Sequence, residues 1–226
     1  NASQIYGVAL FPSASGELNL HGGGDVRLNP SVRVMDNLPA SLPSLANPTR
    51  GVESAIVLFL GLNSTSYALN KLVFTDLHAG DADSLHIHAN GSILAAQNKP
   101  LIPPKQAEIT AGLDIVNLTF YGQHHAAEDV TRIAAGRNLI NDIPLITQGL
   151  ISLAGPGLLE VTAGRQFNLG TAQGVETVGN LFNPTLPDTG ASVHVAAGLA
   201  PVGGSISPAT MPPPPHPAGP AGRHPH

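Results

Sequence analysis

The chain has no cysteine and no tryptophan, only three tyrosines and six phenylalanines, and few charges. Asp, Glu, Lys and Arg make up 11% of its 226 residues, against roughly 25% in an average soluble domain. Each shortage excludes something. Without cysteine there is neither a disulfide scaffold nor a Cys-ligated zinc domain. Scarce Lys and Glu beside plentiful Gly and Pro exclude a long helical bundle or coiled coil. Ten Lys and Arg against fifteen Asp and Glu, a net charge of −5, provide no dense basic face for nucleic acid. No run approaches the roughly 20 apolar residues of a membrane helix; the best, Ala55–Leu62, is far too short.

What is present points one way. The chain is 42% apolar, with 25 glycines and 21 prolines. The apolar content is too high and the charge too low for a disordered chain, and glycine lacks the three-residue period of collagen. An all-β protein of many short strands and turns remains. The start at Asn1, without Met or a signal peptide, and the proline tract at the other end read as cuts in something longer. The missing thiols suit a protein exported unfolded.

A seven-residue pattern recurs: apolar, any, small, Gly, any, any, apolar. It reads Ile109-Thr-Ala-Gly-Leu-Asp-Ile115, then Ile133-Ala-Ala-Gly-Arg-Asn-Leu139, then Val161-Thr-Ala-Gly-Arg-Gln-Phe167. Variants are Leu20-His-Gly-Gly-Gly-Asp-Val26 and Ile87-His-Ala-Asn-Gly-Ser-Ile93, and a degraded copy begins at Val195. The small residue falls at 89, 111, 135, 163 and 197, so the gaps are 22, 24, 28 and 34. One strand–turn–strand unit per 20-odd residues fits a parallel β-solenoid, whereas sandwich hairpins repeat every 8–12. In this reading a strand ends, Ala-Gly turns a corner, and the next strand begins. The Gly or Asn of the corner is expected to supply a positive φ. Alternating apolar residues place strands in 109–120, 130–140, 158–169 and 192–196; 123–135 and 66–70 read as loops with at most a helical turn.

Four stretches follow: strands over 1–35, a proline-broken excursion over 36–56, strands over 57–200, and a disordered Pro/Gly/His tail over 201–226. Ala55–Leu60 reads as a buried strand. About 190 residues at 22–25 per unit predict about eight units, stacked at roughly 4.8 Å.

Several phrases, in order, carry a family likeness: Gln4-Ile-Tyr-Gly-Val-Ala-Leu-Phe-Pro-Ser-Ala-Ser-Gly-Glu-Leu, Thr75-Asp-Leu-His-Ala-Gly-Asp, Ala107-Glu-Ile-Thr-Ala-Gly-Leu-Asp-Ile, Asp129-Val-Thr-Arg-Ile-Ala-Ala-Gly-Arg-Asn and Gly155-Pro-Gly-Leu-Leu-Glu-Val-Thr-Ala-Gly-Arg. They resemble the body of filamentous-haemagglutinin-like exoproteins of Gram-negative bacteria, over most of 4–200. The resemblance implies a right-handed, single-stranded parallel β-helix. It implies a very large secreted or surface protein, exported through an outer-membrane transporter and active in adhesion or toxin presentation. It brings no catalytic motif, and neither an amino-terminal secretion domain nor a toxin domain has a counterpart here.

Histidine is the first candidate for chemistry. His86 and His88 are two apart on a strand and face one side; with Asp81 or Asp83 they would make a metal set. We read them as a solvated strand face, and His216, His224 and His226 as tail composition. His124 and His125 are adjacent. The carboxylates form two groups, Asp76, Asp81 and Asp83, and Glu128, Asp129 and Asp142, both with little Lys or Arg nearby in sequence. A β-helical lyase or glycosidase needs clustered carboxylates with such cations. Asp81 and Asp83 after Ala79-Gly80 fit a turn in which Asp bonds its own backbone. His21-Gly-Gly-Gly-Asp25 lacks the Lys and Ser/Thr of a phosphate loop and reads as a glycine corner. Arg137 and Arg165 share a repeat position and line up as solvated rungs. Tyr67, Phe120, Tyr121 and Phe182 are the only candidates for an aromatic sugar-binding face. Asn63-Ser-Thr, Asn90-Gly-Ser and Asn117-Leu-Thr are glycosylation acceptors only in a eukaryotic secretory route.

The sequence thus predicts a non-enzymatic shaft segment of a secreted or surface-exposed bacterial exoprotein. It uses no cofactor, metal or nucleic acid. Its partners are its secretion transporter and a host or neighbouring-cell surface. The rivals are a carbohydrate-active β-helix enzyme and a non-catalytic carbohydrate-binding surface.

Overall fold

Short parallel strands build the protein. The structure is a computed structural model that describes residues 3–5, 8–10, 13–28, 32–34, 36, 44–46, 75–96, 99–142, 150–181 and 183–198. The expected strand at Ala55–Leu60, most of the 36–56 excursion, the turn at 66–70 and the 201–226 tail lie outside these residues. Among the described residues there is no helix.

The first sheet holds, in hydrogen-bonded order, β3 (Asn19–Gly22), β6 (Leu85–Ala89), β8 (Ala107–Ala111), β11 (Val130–Ala135), β14 (Leu158–Ala163) and β17 (Ser192–Ala197). The second holds β1 (Ser3–Ile5), β4 (Val26–Leu28), β7 (Ile93–Ala95), β9 (Ile115–Val116), β12 (Asn138–Ile140) and β15 (Gln166–Asn168). A third contains β10 (Phe120–Gln123), β13 (Ile151–Ala154) and β16 (Val175–Gly179), and β2 (Ala9–Leu10) pairs with β5 (Arg33–Val34). All pairings are parallel. From β8 onward the chain visits first, second and third sheet in the same order three times and returns to the first with β17.

Register follows the repeat. Leu20, Ile87, Ile109, Ile133, Val161 and Val195 are successive partners in the first sheet. Val26, Ile93, Ile115, Leu139 and Phe167 are successive partners in the second. Ile87, Ile109, Ile133 and Val161 are all fully buried. Because strand side chains alternate faces, every second residue of the first sheet points inward, and the aliphatic column is flanked by a column of alanines, Ala89, Ala111, Ala135 and Ala163, that is also buried. Each Ile or Val burial is worth about 1.5–3 kcal/mol.

The outer face of the first sheet carries another column: Asn19, His86, Glu108, Arg132, Glu160 and His194. Basic and acidic side chains alternate from His86 to His194. Arg132 Nε donates to Glu160 Oε2 at 2.9 Å, and His86 Nδ1 lies 3.4 Å from Glu108 Oε2.

The corners between first and second sheet differ from expectation in their cause. Gly112 and Gly136 do not have a positive φ, nor does Asn90 at the same repeat position, whereas Gly198 of the last copy does, at 74°; among the described non-glycine residues only Asn117 does. Glycine is required by the corner beside it. A Cβ on Gly136 would lie 2.2 Å from the Gly112 carbonyl oxygen, and one on Gly112 2.2 Å from that of Asn90. The backbones stack through hydrogen bonds, Gly136 N to Ala111 O at 2.8 Å and Gly164 N to Ala135 O at 2.9 Å. Polar side chains continue this stacking. Ser92 N donates to Asp25 Oδ1 at 2.8 Å, and Asp114 N donates to Ser92 Oγ at 3.3 Å. Asn138 N and Nδ2 donate to Asp114 Oδ1 at 3.1 and 2.8 Å.

Among the described residues the taller sheets hold six strands, not about eight. Two causes account for the difference. Later units lengthen, and β3 pairs directly with β6, so that Asp25 and Ser92 meet across 67 residues. The loop expected around 123–135 is short: a turn at 126–128, then β11.

Candidate functional site

Titratable side chains gather around Thr75 and the turn that follows it. Thr75 donates its N–H to Asp36 Oδ2 at 2.6 Å and its hydroxyl to Asp36 Oδ1 at 2.5 Å. One carboxylate therefore ties together residues 39 apart in sequence. In the turn that follows, His78 Nδ1 lies 3.2 Å from Asp81 Oδ2, and Lys105 Nζ donates to the same oxygen at 2.7 Å. His78 and Lys105 are each 1% exposed. Asp81 Oδ1 accepts the Asp83 N–H at 3.1 Å, the self-bonded turn read from Ala79-Gly80.

Buried Gln123, at the end of β10, joins this turn to the sheets. Its Nε2 donates to Thr75 O at 2.8 Å and lies 3.0 Å from His125 Nε2, while its Oε1 accepts from Asn183 Nδ2 at 3.0 Å. His125 Nε2 is also 3.2 Å from Pro104 O. Asp129 Oδ2 accepts the N–H groups of His125 and Ala126 at 2.8 and 2.9 Å. His124, fully buried, sets Nδ1 2.9 Å from Pro156 O and Nε2 2.8 Å from Thr131 Oγ1. That pattern selects the neutral ring with its proton on Nδ1, because a carbonyl only accepts.

Environment moves four of these groups. Burial raises the Asp36 pKa against the hydrogen bonds from Thr75 and the nearby His78 and His125. Burial also acts upward on Asp81, but hydrogen bonds from Lys105, the Asp83 N–H and His78 outweigh it and hold its carboxyl below the ordinary value. Burial pushes His124 and His125 downward, against the Pro156 and Pro104 carbonyls respectively. The cluster thus holds one ion pair, Asp81 with Lys105, and two rings whose protonation burial disfavours, each engaged with neighbouring backbone or side-chain groups. Its chemistry is cohesive: it fastens the segment beginning at Thr75 onto the sheets.

The other sequence candidates are dispersed. His86 and His88 do share the outer face of β6, but their partners are Glu108, Thr110 and Asn90 rather than Asp81 or Asp83. Asp76 and Asp83 are exposed, as is Glu128. Asp142 bonds through its backbone to Asn117 Oδ1. Among the described residues no three His, Asp or Glu side chains converge to hold a metal ion. Arg137 and Arg165 do stack, with Arg165 N donating to Arg137 O, yet Arg137 Nη2 reaches Asp114 Oδ2 at 2.5 Å. Phe120 is fully buried beneath the third sheet and offers no sugar-stacking surface; Tyr67 and Phe182 lie outside the described residues.

Sequence reasoning missed Asp36, His78, Lys105, Gln123 and Asn183. The two acid groups looked poor in cations because Lys105 is 24 residues from Asp81. A lone Lys after two prolines reads as an exposed loop residue, so no local signal marked it.

Compared with family models, with curated proteins and with solved structures, the chain matches none of them.

Proposed function

We propose that the chain is a right-handed parallel β-helix serving as a shaft segment of a secreted or surface-exposed bacterial exoprotein. In this role it spaces a distal binding or toxic module from the cell. The observation that carries the reading is the unbroken register of the two six-stranded parallel sheets, with the chain passing from sheet to sheet in one fixed order. Such a stack lengthens by adding units and needs contacts only between neighbours. Its mechanism is templating: each strand offers the next a row of N–H and C=O groups and an aliphatic rung. The partners on this reading are an outer-membrane secretion transporter and the surface the distal module reaches.

The carboxylates bear on the enzymatic rival. Asp81 is spent on Lys105, Asp114 and Asp25 on corner N–H groups, and Glu160 on Arg132. Glycoside cleavage instead needs a pair of carboxyl groups facing across a bound sugar.

The test is export. Ile133→Asp puts a charge into the central rung and is expected to lower the amount secreted when the chain is fused behind a two-partner secretion domain and co-expressed with the matching transporter. Secretion equal to wild type overturns the templating role. Screening polysaccharides for new reducing ends addresses the rival; release that disappears on Asp81→Ala would replace the shaft reading with an enzymatic one.

A further inference from the structure

Two histidines on the outer face of the first sheet stand side by side on different strands. His21 on β3 and His88 on β6 are register partners, so they stand side by side on neighbouring parallel strands. Both are exposed on the outer face. Their ring centroids are 6.2 Å apart, with planes tilted by 46°. His88 Nδ1 is 2.7 Å from Thr110 Oγ1 on β8. Nε2–H donates to Asn90 Oδ1 at 3.1 Å and Nδ1 accepts from the Thr110 hydroxyl. Because that hydroxyl can equally accept, the ring reaches the other tautomer, Nδ1–H on Thr110 with a lone pair on Nε2, once it leaves Asn90; that is the arrangement that orients metal-binding histidines. Asn90, 3.1 Å from Nε2, is the contact an incoming ion displaces; its side chain is exposed. His86, the other histidine on this face of β6, faces Glu108 at 3.4 Å and takes no part.

Geometry fits a shared ion. An imidazole nitrogen binds zinc at about 2.0–2.1 Å, which puts the ion about 3 Å from each ring centroid. Two rings at the tetrahedral angle of about 109° on one ion then have centroids about 5 Å apart, so side-chain rotation has to bring the rings about 1 Å closer than the 6.2 Å between them. Paired imidazoles suit zinc, nickel and copper; calcium and magnesium prefer oxygen. We propose that His21 and His88 form a two-histidine chelate for such a late divalent transition metal, with water in the remaining positions, and that the ion clips β3 to β6. These strands neighbour each other in space but are joined by the longest connection in the first sheet, the 67 residues that also separate Asp25 from Ser92. A clip there fixes contacts across the largest loop. The inference is independent of the shaft reading.

The experiment titrates the whole chain with ZnCl2 and with NiCl2 by calorimetry and follows thermal unfolding. It compares wild type with His21→Ala, His88→Ala, the double variant and His86→Ala. The chain has ten histidines, so the readout is the difference between variants. Each single substitution at 21 or 88 is expected to remove the same binding equivalent, the double no more than either, and His86→Ala none. At free metal a hundredfold above Kd, the unfolding midpoint is expected to rise on the order of 5 °C in wild type and His86→Ala, and to stay put in the other three. Unchanged binding and midpoint shift in His21→Ala overturn the proposal. So do losses at 21 and 88 that add up in the double variant, since they describe two independent side chains.

Discussion

Ile133 in β11 and Lys105 beside Asp81 are almost equally hidden from solvent, yet opposite means hold them. Ile133 sits between Ile109 and Val161, its like on both sides, and its burial is favourable in itself. Lys105 and Asp81 lose their hydration, and the contact between them at 2.7 Å offsets that loss. The ladder is therefore tolerant of a swap for another aliphatic residue and intolerant of charge. The cluster tolerates removal of both partners better than removal of one.

The largest expected effect breaks the ladder. Ile133→Asp leaves an unpaired carboxylate in a fully buried position; circular dichroism should show loss of the native fold at 25 °C. Val195→Asp sharpens the comparison, because Val195 is the last member of the same column and 47% exposed. It should cost no more than about 1 kcal/mol in urea unfolding. Equal damage from both would mean that end strands are as enclosed as central ones.

Next comes the cluster. Asp81→Ala strands a buried ammonium and should cost about 3–5 kcal/mol. Asp81→Leu combined with Lys105→Met should recover most of it, measured in the same urea series. A double variant as unstable as Asp81→Ala would show that the pair is intrinsically stabilising.

A smaller effect arises from pH. His124 and His125 bind protons less readily when folded than when unfolded, because burial lowers both pKa values from 6.5. The unfolded chain then holds more protons as pH falls below about 6.5, so these two rings contribute stability that is complete above that pH and is lost on acidification. Asp36, whose pKa is raised, acts in the opposite sense at the lower pH of carboxylates. Stability should decline between pH 7.5 and 5.5, and the decline should shrink in His125→Gln. An equal decline in that variant would assign it elsewhere.

The smallest is on the surface. Arg132→Ala removes the exposed pair with Glu160 and should change stability by less than about 1 kcal/mol, less still in high salt.

These differences in mechanism also decide what sequence alone could reveal. The Ile109, Ile133 and Val161 rung and the Ile115, Leu139 and Phe167 rung were legible because the same local pattern returns at each unit, and register follows from pattern. The glycine at each corner was legible as a position but not in its cause. A lone chain suggests a special φ, whereas the demand on Gly136 comes from the Gly112 carbonyl 24 positions earlier. The cluster was nearly illegible. Asp81, His124 and His125 stood out as residue types, but Lys105, Gln123 and Asn183 have no period and no motif. Their partnership exists only once the backbone has brought distant turns together.

The bond between Asp36 and Thr75 has a consequence for how this molecule can change. Because these two residues touch, whatever chain runs from one to the other departs and arrives at a single doorway. The separation of these two points is set by the Thr75–Asp36 hydrogen bonds and not by how many residues lie between them, and closing a longer connection costs little more entropy, about 0.6 kcal/mol per doubling. An insertion of a few residues between positions 36 and 75 is therefore expected to cost the strands on either side little stability, as urea unfolding of such a variant would show.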